Sequence, residues 1–189
     1  MPNWCFANYV IEGDKEEVKD LAEKLMSLEK SKHPVKNDFG TNWLGNAVTL
    51  FGGDHTKISC RGDFSDLEYI EGDNKLTFNV EAAWDEKADV WKFVCDKYTS
   101  LRYYFYSEET GNGHYATNDR EGKYFTDRFV LQMKEGTEYF ETKRSLFEYV
   151  SEYTGIKVSS IEQVEDALSS YPTDSCDCGA PCFYTIEVE

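Results

Sequence analysis

Three cysteines near the C-terminus, Cys176, Cys178 and Cys182, are the residues whose type and spacing point most directly to chemistry. Thiolates are soft metal ligands, and Gly179 and Pro181 supply the tight turn that a tetrahedral zinc site needs. The spacing C-x-C-x3-C is not that of a standard zinc knuckle and has no fourth ligand nearby, so Cys60, His114 or Asp177 would have to complete the set in space. The expectation is a protein without a cofactor, zinc on the three thiols being the alternative. Cys5 and Cys60 fall at strand-like apolar positions, where thiols are ordinarily buried and inert.

Catalytic patterns are sparse. The chain has no Gly-x4-Gly-Lys phosphate loop, no Gly-x-Ser-x-Gly elbow, no His-Glu-x2-His pair and no Gly-x-Gly-x2-Gly between a strand and a helix. His33 and His55 lie in expected loops, which leaves Cys5 or Cys60 with His114 as the one nucleophile and base pairing left open. No third group orients such a pair, so the expectation is a non-catalytic protein. The run Tyr103, Tyr104, Phe105, Tyr106 could offer a stacking platform for single-stranded bases. Only Arg102 and Arg120 stand near to meet phosphates, and pleating sends half of such a run into the core.

Carboxylates give the strongest signal. Acidic residues outnumber basic ones 36 to 20, for a formal charge of -16, and counterion release then works against direct binding to nucleic acid or an anionic membrane. Residues 61–89 carry nine acids against three bases, and residues 148–189 carry nine against Lys157 alone. Together these windows hold 14 of the 16 excess negative charges. Outward positions on a strand recur every ~6.6 Å, and each strand of duplex DNA shows a charge every ~3.4 Å, so one strand cannot imitate it, whereas two acidic elements side by side could. Asp63, Asp66, Glu68, Glu71 and Asp73, with Glu162, Glu165 and Asp166, are therefore the candidate partner-binding residues, suited to pair with arginines or lysines that otherwise hold phosphates. Against this stands a solvated face that simply keeps the protein soluble.

The elements that must position these groups follow from periodicity. Trp4 to Ile11 is dense in aromatic and β-branched residues, and Val18, Leu21, Ala22 and Leu25 mark a helix after Asp14, with Glu17 in a capping-box position. A short helix is expected over 43–51. A hairpin is expected between Asp66 and Ala82, turned by Gly72-Asp73-Asn74, then a helix from near Asp85, a strand over 101–108 and another over 125–133. Two helices over 143–153 and 160–171 and a strand over 183–188 complete the chain. Length, a hydrophobic fraction of 40% and an aromatic share of 15% suit a folded α+β protein with a mainly antiparallel sheet, read as a domain over 1–134 with a helix pair and strand over 135–189. No run is apolar enough for a membrane span and the start lacks a signal-peptide pattern, which gives a cytoplasmic expectation.

Met1-Pro-Asn-Trp-Cys5, Asn42-Trp-Leu-Gly-Asn46, Cys60-Arg-Gly62 and Ala82-Ala-Trp84, the last followed by a Trp-bearing helix, resemble an uncharacterised ferredoxin-like family of phages, conjugative plasmids and Firmicutes genomes, the Api-like or YubB-like proteins. Tyr115 to Asn118 and Gly122 to Phe125 extend the resemblance over most of residues 1–134, and the Cys176 to Cys182 segment departs from it. The resemblance implies a ferredoxin-like fold and a mobile-element setting in a bacterial host, and it transfers no activity. Combined with the charge, it gives an anti-CRISPR-like expectation: an acidic nucleic-acid mimic that inhibits a basic nucleic-acid-binding partner, such as a host defence nuclease. The alternative is a nucleic-acid or metal-associated accessory domain using the tyrosine run and the cysteine tail.

Overall fold

Alternation of apolar and polar side chains makes β1, Trp4–Glu12, a two-faced strand: Cys5, Ala7, Tyr9 and Ile11 are buried, while Trp4, Phe6 and Asn8 are exposed. This is a computed structural model, which describes residues 3–30, 35, 39–134, 136–170 and 181–189. The chain is α+β, with five helices among the described residues, and it divides into two compact units, Met1–Asn118 and Asp119–Glu189.

In the first unit, β1 is followed by α1 (Lys15–Lys30), α2 (Leu44–Leu50), β2 (Gly62–Tyr69), β3 (Lys75–Ala83), α3 (Ala88–Cys95), β4 (Arg102–Glu109) and β5 (His114–Thr117). These strands lie in the order β2-β3-β1-β4-β5, every pairing antiparallel. All three helices contribute to one core with the inward side chains of the sheet: Leu21 and Leu25 from α1, Val48 from α2 and Trp91 from α3 meet Tyr9, Phe64, Phe78 and Phe105. Trp91 packs 4.3 Å from Phe78 and edge-on to Phe64, an arrangement aromatic rings favour. Gly62 is required by close approach, because a Cβ there would lie 2.5 Å from that of Ala82 on β3.

The second unit contains β6 (Phe129–Met133), β7 (Gly136–Phe140), α4 (Lys143–Thr154), α5 (Ile161–Ser170), β8 (Cys182–Thr185) and β9 (Glu187–Val188). Its three-stranded antiparallel sheet runs β7-β6-β8, and Leu146, Val150, Val164 and Leu168 from the two helices pack with Phe129, Leu131 and Phe140. Thr142 caps α4 by accepting the Ser145 N–H at 3.1 Å, and Gly155 ends it at φ 72°, the left-handed conformation glycine tolerates best.

Several boundaries differ from the sequence expectations for physical reasons. Residues 125–128 are not strand, since Arg128 donates to the carbonyls of Phe125, Asp127 and Asp119 and ties that stretch into a loop. The helix expected from Asp85 starts at Ala88, after a turn containing two left-handed residues. Asp14 caps α1 by accepting the Glu16 N–H, but Glu17 does not close a capping box. Its carboxylate instead accepts the side-chain hydroxyls and backbone N–H groups of Thr99 and Ser100, at 2.6–3.1 Å. Those bonds, led by the Ser100 and Thr99 hydroxyls, hold its pKa down at about 2.

A depressed carboxyl stabilises the fold above the usual carboxylate range and loses that contribution as pH falls towards 2. Glu17→Gln is therefore expected to lower the urea midpoint at neutral pH, with the deficit shrinking as pH falls from about 5 to about 2. A deficit that stays constant over that range would refute the assignment.

Candidate partner-binding surface

The face of the first sheet opposite the helices is set by strand register. Across it runs the row Asp63 on β2, Glu81 on β3, Phe6 on β1 and Glu108 on β4, each directly paired with the next. Adjacent strands lie about 4.8 Å apart, so the row spans about 14 Å. Asp63 and Glu81 are exposed neighbours, and neither side chain has a hydrogen-bond or cationic partner among the described residues. Partial burial, reinforced by the Glu81 charge, raises the Asp63 carboxyl above its usual value.

The next row is a hydrogen-bonded ladder. Asn8 donates its amide to Asn79 at 2.7 Å, and Asn79 and Ser65 donate to the Asp66 carboxylate at 3.0 Å each. Asp66 sits in a β-bulge at φ 51°, where the register steps from Ser65↔Asn79 to Glu68↔Thr77. The extra residue resets the alternation: Asp63, Ser65 and Glu68 share the outer side, while Phe64, Leu67 and Tyr69 pack on the core.

The sequence-selected carboxylates thus have different fates. Asp63 and Glu68 lie on the outer face with Glu81, and Asp66 is occupied by internal donors. Glu71 is ion-paired with Lys19 at 2.6 Å, and Asp73 accepts the Asn74 N–H in the β2–β3 turn. Glu162, Glu165 and Asp166 are exposed on α5 in the second unit. The Ser160 hydroxyl lowers the Glu162 pKa, with a smaller contribution from Lys143. That unit also carries an open groove of about 670 Å³ lined by Lys143, Arg144, Phe147, Glu148 and Lys157, in which Arg144 is ion-paired with Glu148, and Asp166 shares a smaller one with Lys157.

Exposed aromatic residues adjoin the acidic row, and periodicity in the sequence gave no signal for them. Trp4 and Phe6 are 43% and 51% exposed, and Trp84, at the end of β3, is 56% exposed. Trp84 and Lys87 have φ of 78° and 62°, a region bulky side chains rarely enter. The loop between them is held by the buried Lys87 ammonium, which donates to the Ala83 carbonyl at 2.6 Å and to Asp85 at 2.8 Å, while the Trp84 N–H donates to the Asn3 carbonyl at 3.0 Å.

The remaining candidates are dispersed. Burial pushes the thiols of Cys5, Cys60 and Cys95 up to about 12, 11 and 12, so they stay protonated at neutral pH. Cys60 precedes β2 and His114 begins β5, at opposite ends of this run of strands and so about 19 Å apart, too far to share a proton or a metal. Tyr103 and Phe105 face the core, while Tyr104 and Tyr106 occupy the outer face half-buried, with the Tyr104 hydroxyl donating to Glu12. Cys176 and Cys178 lie outside the described residues, and Cys182 is exposed on β8 opposite Gln132. Among the described residues, no three His, Cys, Asp or Glu side chains are grouped to hold a metal, and no helix is long and apolar enough to cross a membrane.

Comparison with protein-family models, curated proteins and solved structures finds no match to this chain.

Like charges directly opposite on paired strands are destabilising, so Glu81→Gln is expected to stabilise the fold by about 0.2–1 kcal/mol at neutral pH. The raised Asp63 carboxyl binds its proton more tightly in the folded chain, so stability rises as pH falls through its titration and the advantage of the variant shrinks. Thermal unfolding of both proteins at pH 7 and pH 3 checks this; a destabilised variant at pH 7 would refute it.

Proposed function

We propose that this chain is a non-catalytic binding protein whose outer sheet face occupies a cationic, nucleic-acid-binding surface of another protein. The observation that carries this reading is the Asp63–Glu81 pair, two adjacent carboxylates with no cationic partner among the described residues, beside exposed aromatic side chains. Unneutralised like charges cost stability in the free protein, and an incoming arginine or lysine converts that repulsion into charge-assisted bonding. Glu68 extends the anionic edge along β2, and Glu162, Glu165 and Asp166 form a separate acidic patch on α5. A net charge of -16 favours fast, salt-sensitive association with basic partners.

With the short α2 inserted before β2 and β5 added beside β4, the succession β1-α1-β2-β3-α3-β4, spatial order β2-β3-β1-β4 and antiparallel pairing support a ferredoxin-like reading of the first unit. Joined to the sequence resemblance, it favours a phage or mobile-element protein acting in the bacterial cytoplasm. The concrete form is an anti-CRISPR-like inhibitor that competes with nucleic acid for a host defence nuclease.

Pull-down from bacterial lysate across a salt series tests this with the intact chain and with the triple variant Asp63→Asn, Glu68→Gln, Glu81→Gln. The intact chain is expected to retain a nucleic-acid-binding enzyme at low salt, to release it at high salt and to suppress its nucleic-acid binding, while the variant recovers at least tenfold less. Equal recovery and equal suppression by the variant would overturn the proposal.

A further inference from the structure

We propose that Phe6 is the seat of an arginine side chain from the partner, the guanidinium lying on the ring and reaching the carboxylates of Glu81 and Asp63. This inference rests on the reading of the outer sheet face as the binding surface and specifies what that surface recognises.

Three observations converge on Phe6. It lies within the sheet rather than at its rim, with β3 paired on one side and β4 on the other, yet half of its surface is open. With Trp4 it forms a contiguous exposed aromatic surface rather than a single scattered side chain, and contiguous apolar patches mark interaction sites. Its partner on β3 is Glu81, whose own neighbour on β2 is Asp63, so the ring borders a carboxylate pair that has no cationic partner among the described residues. Trp4 follows on the same strand and face, two residues away, which extends the aromatic surface past the ring.

The dimensions fit one side chain. Directly paired residues have Cβ atoms about 4.5–5.5 Å apart, and a cation is attracted to an aromatic face within about 6 Å of its centroid. A single cationic group can therefore rest on Phe6 and bond to Glu81 at once. A guanidinium suits this better than an ammonium, because it is planar, stacks on rings, is more weakly hydrated and presents a fork of donors to a carboxylate. The long stem of an arginine would cover the remaining apolar surface between Phe6 and Trp4.

The test uses the full chain with synthetic octa-arginine and octa-lysine as probes, affinities being measured by calorimetry at low and moderate salt. Octa-arginine is expected to bind more tightly. Phe6→Leu should weaken octa-arginine about two- to fivefold while barely changing octa-lysine, and Phe6→Trp should restore the preference. Glu81→Gln should weaken octa-arginine more than the control Glu23→Gln, an exposed carboxylate on α1 on the helical side of the sheet. Thermal unfolding of each variant confirms that it is folded.

Equal affinity for the two peptides, unaltered by Phe6→Leu, would overturn the arginine seat while leaving a purely electrostatic surface standing. An equal loss from the α1 control would overturn it by placing the peptide elsewhere. Failure of both peptides to bind in a salt-sensitive way would overturn both this inference and the proposed function.

Discussion

The double pairing of β1 is the constraint on which the first unit depends. All nine of its residues pair with β3 and seven also pair with β4, so its alternation is imposed on both neighbours. A one-residue slip on either side would exchange the faces, sending Phe6 and Asn8 towards the helices and Tyr9 and Ile11 towards water. Tyr9 guards against this: it stacks on Phe78, packs on Phe105 and Trp91, and donates its hydroxyl to the Glu86 carbonyl. The same register that completes the core places Asp63, Glu81 and Phe6 side by side outside it. Core packing and surface chemistry are two faces of one hydrogen-bonded ladder.

The outer face is not arranged for stability alone. Threonine or lysine opposite Asp63 would remove a repulsion and add cross-strand attraction, yet Glu81 stands there. Nearby, Trp84 and Lys87 adopt left-handed backbone conformations that cost of order 1–3 kcal/mol each, and a buried ammonium with several hydrogen bonds offsets this. Local choices that work against the fold, gathered at one end of one sheet face, are the pattern expected where a surface serves binding.

Much of the fold was legible because it rests on period and caps. The β2–β3 hairpin, α1, α4, α5 and the inward side of β4 follow from alternation, from 3.6-residue stripes and from Gly155. What escaped depends on contacts distant in sequence. The bulge at Asp66 is invisible to alternation because its cause is a carboxylate held by Asn79 from the next strand. Glu17 resembled a capping residue, but its partners lie 82 and 83 positions away. Strand β7 is short, and four of its five residues are exposed, so no apolar alternation announced it. The acidic windows were legible as composition, whereas the distinction between engaged Asp66 and Glu71 and unpartnered Asp63 and Glu81 required register.

The same arrangement bears on what the surface rejects. Exposed aromatic residues on a sheet face would ordinarily invite a second copy of the chain, since stacking Trp4 and Phe6 against their equivalents would bury apolar area. A contact that also brought Asp63 and Glu81 against another pair of carboxylates would carry the cost of desolvating like charges, within a molecule already at -16. On the proposed reading, duplex nucleic acid would meet the same unfavourable sign. In the proposed mode a cationic surface would gain from both halves of the site, because it would neutralise the carboxylates and lay a guanidinium or an aliphatic stem over the rings. Under the proposal, selectivity would arise from what the carboxylates repel as much as from what the aromatics attract.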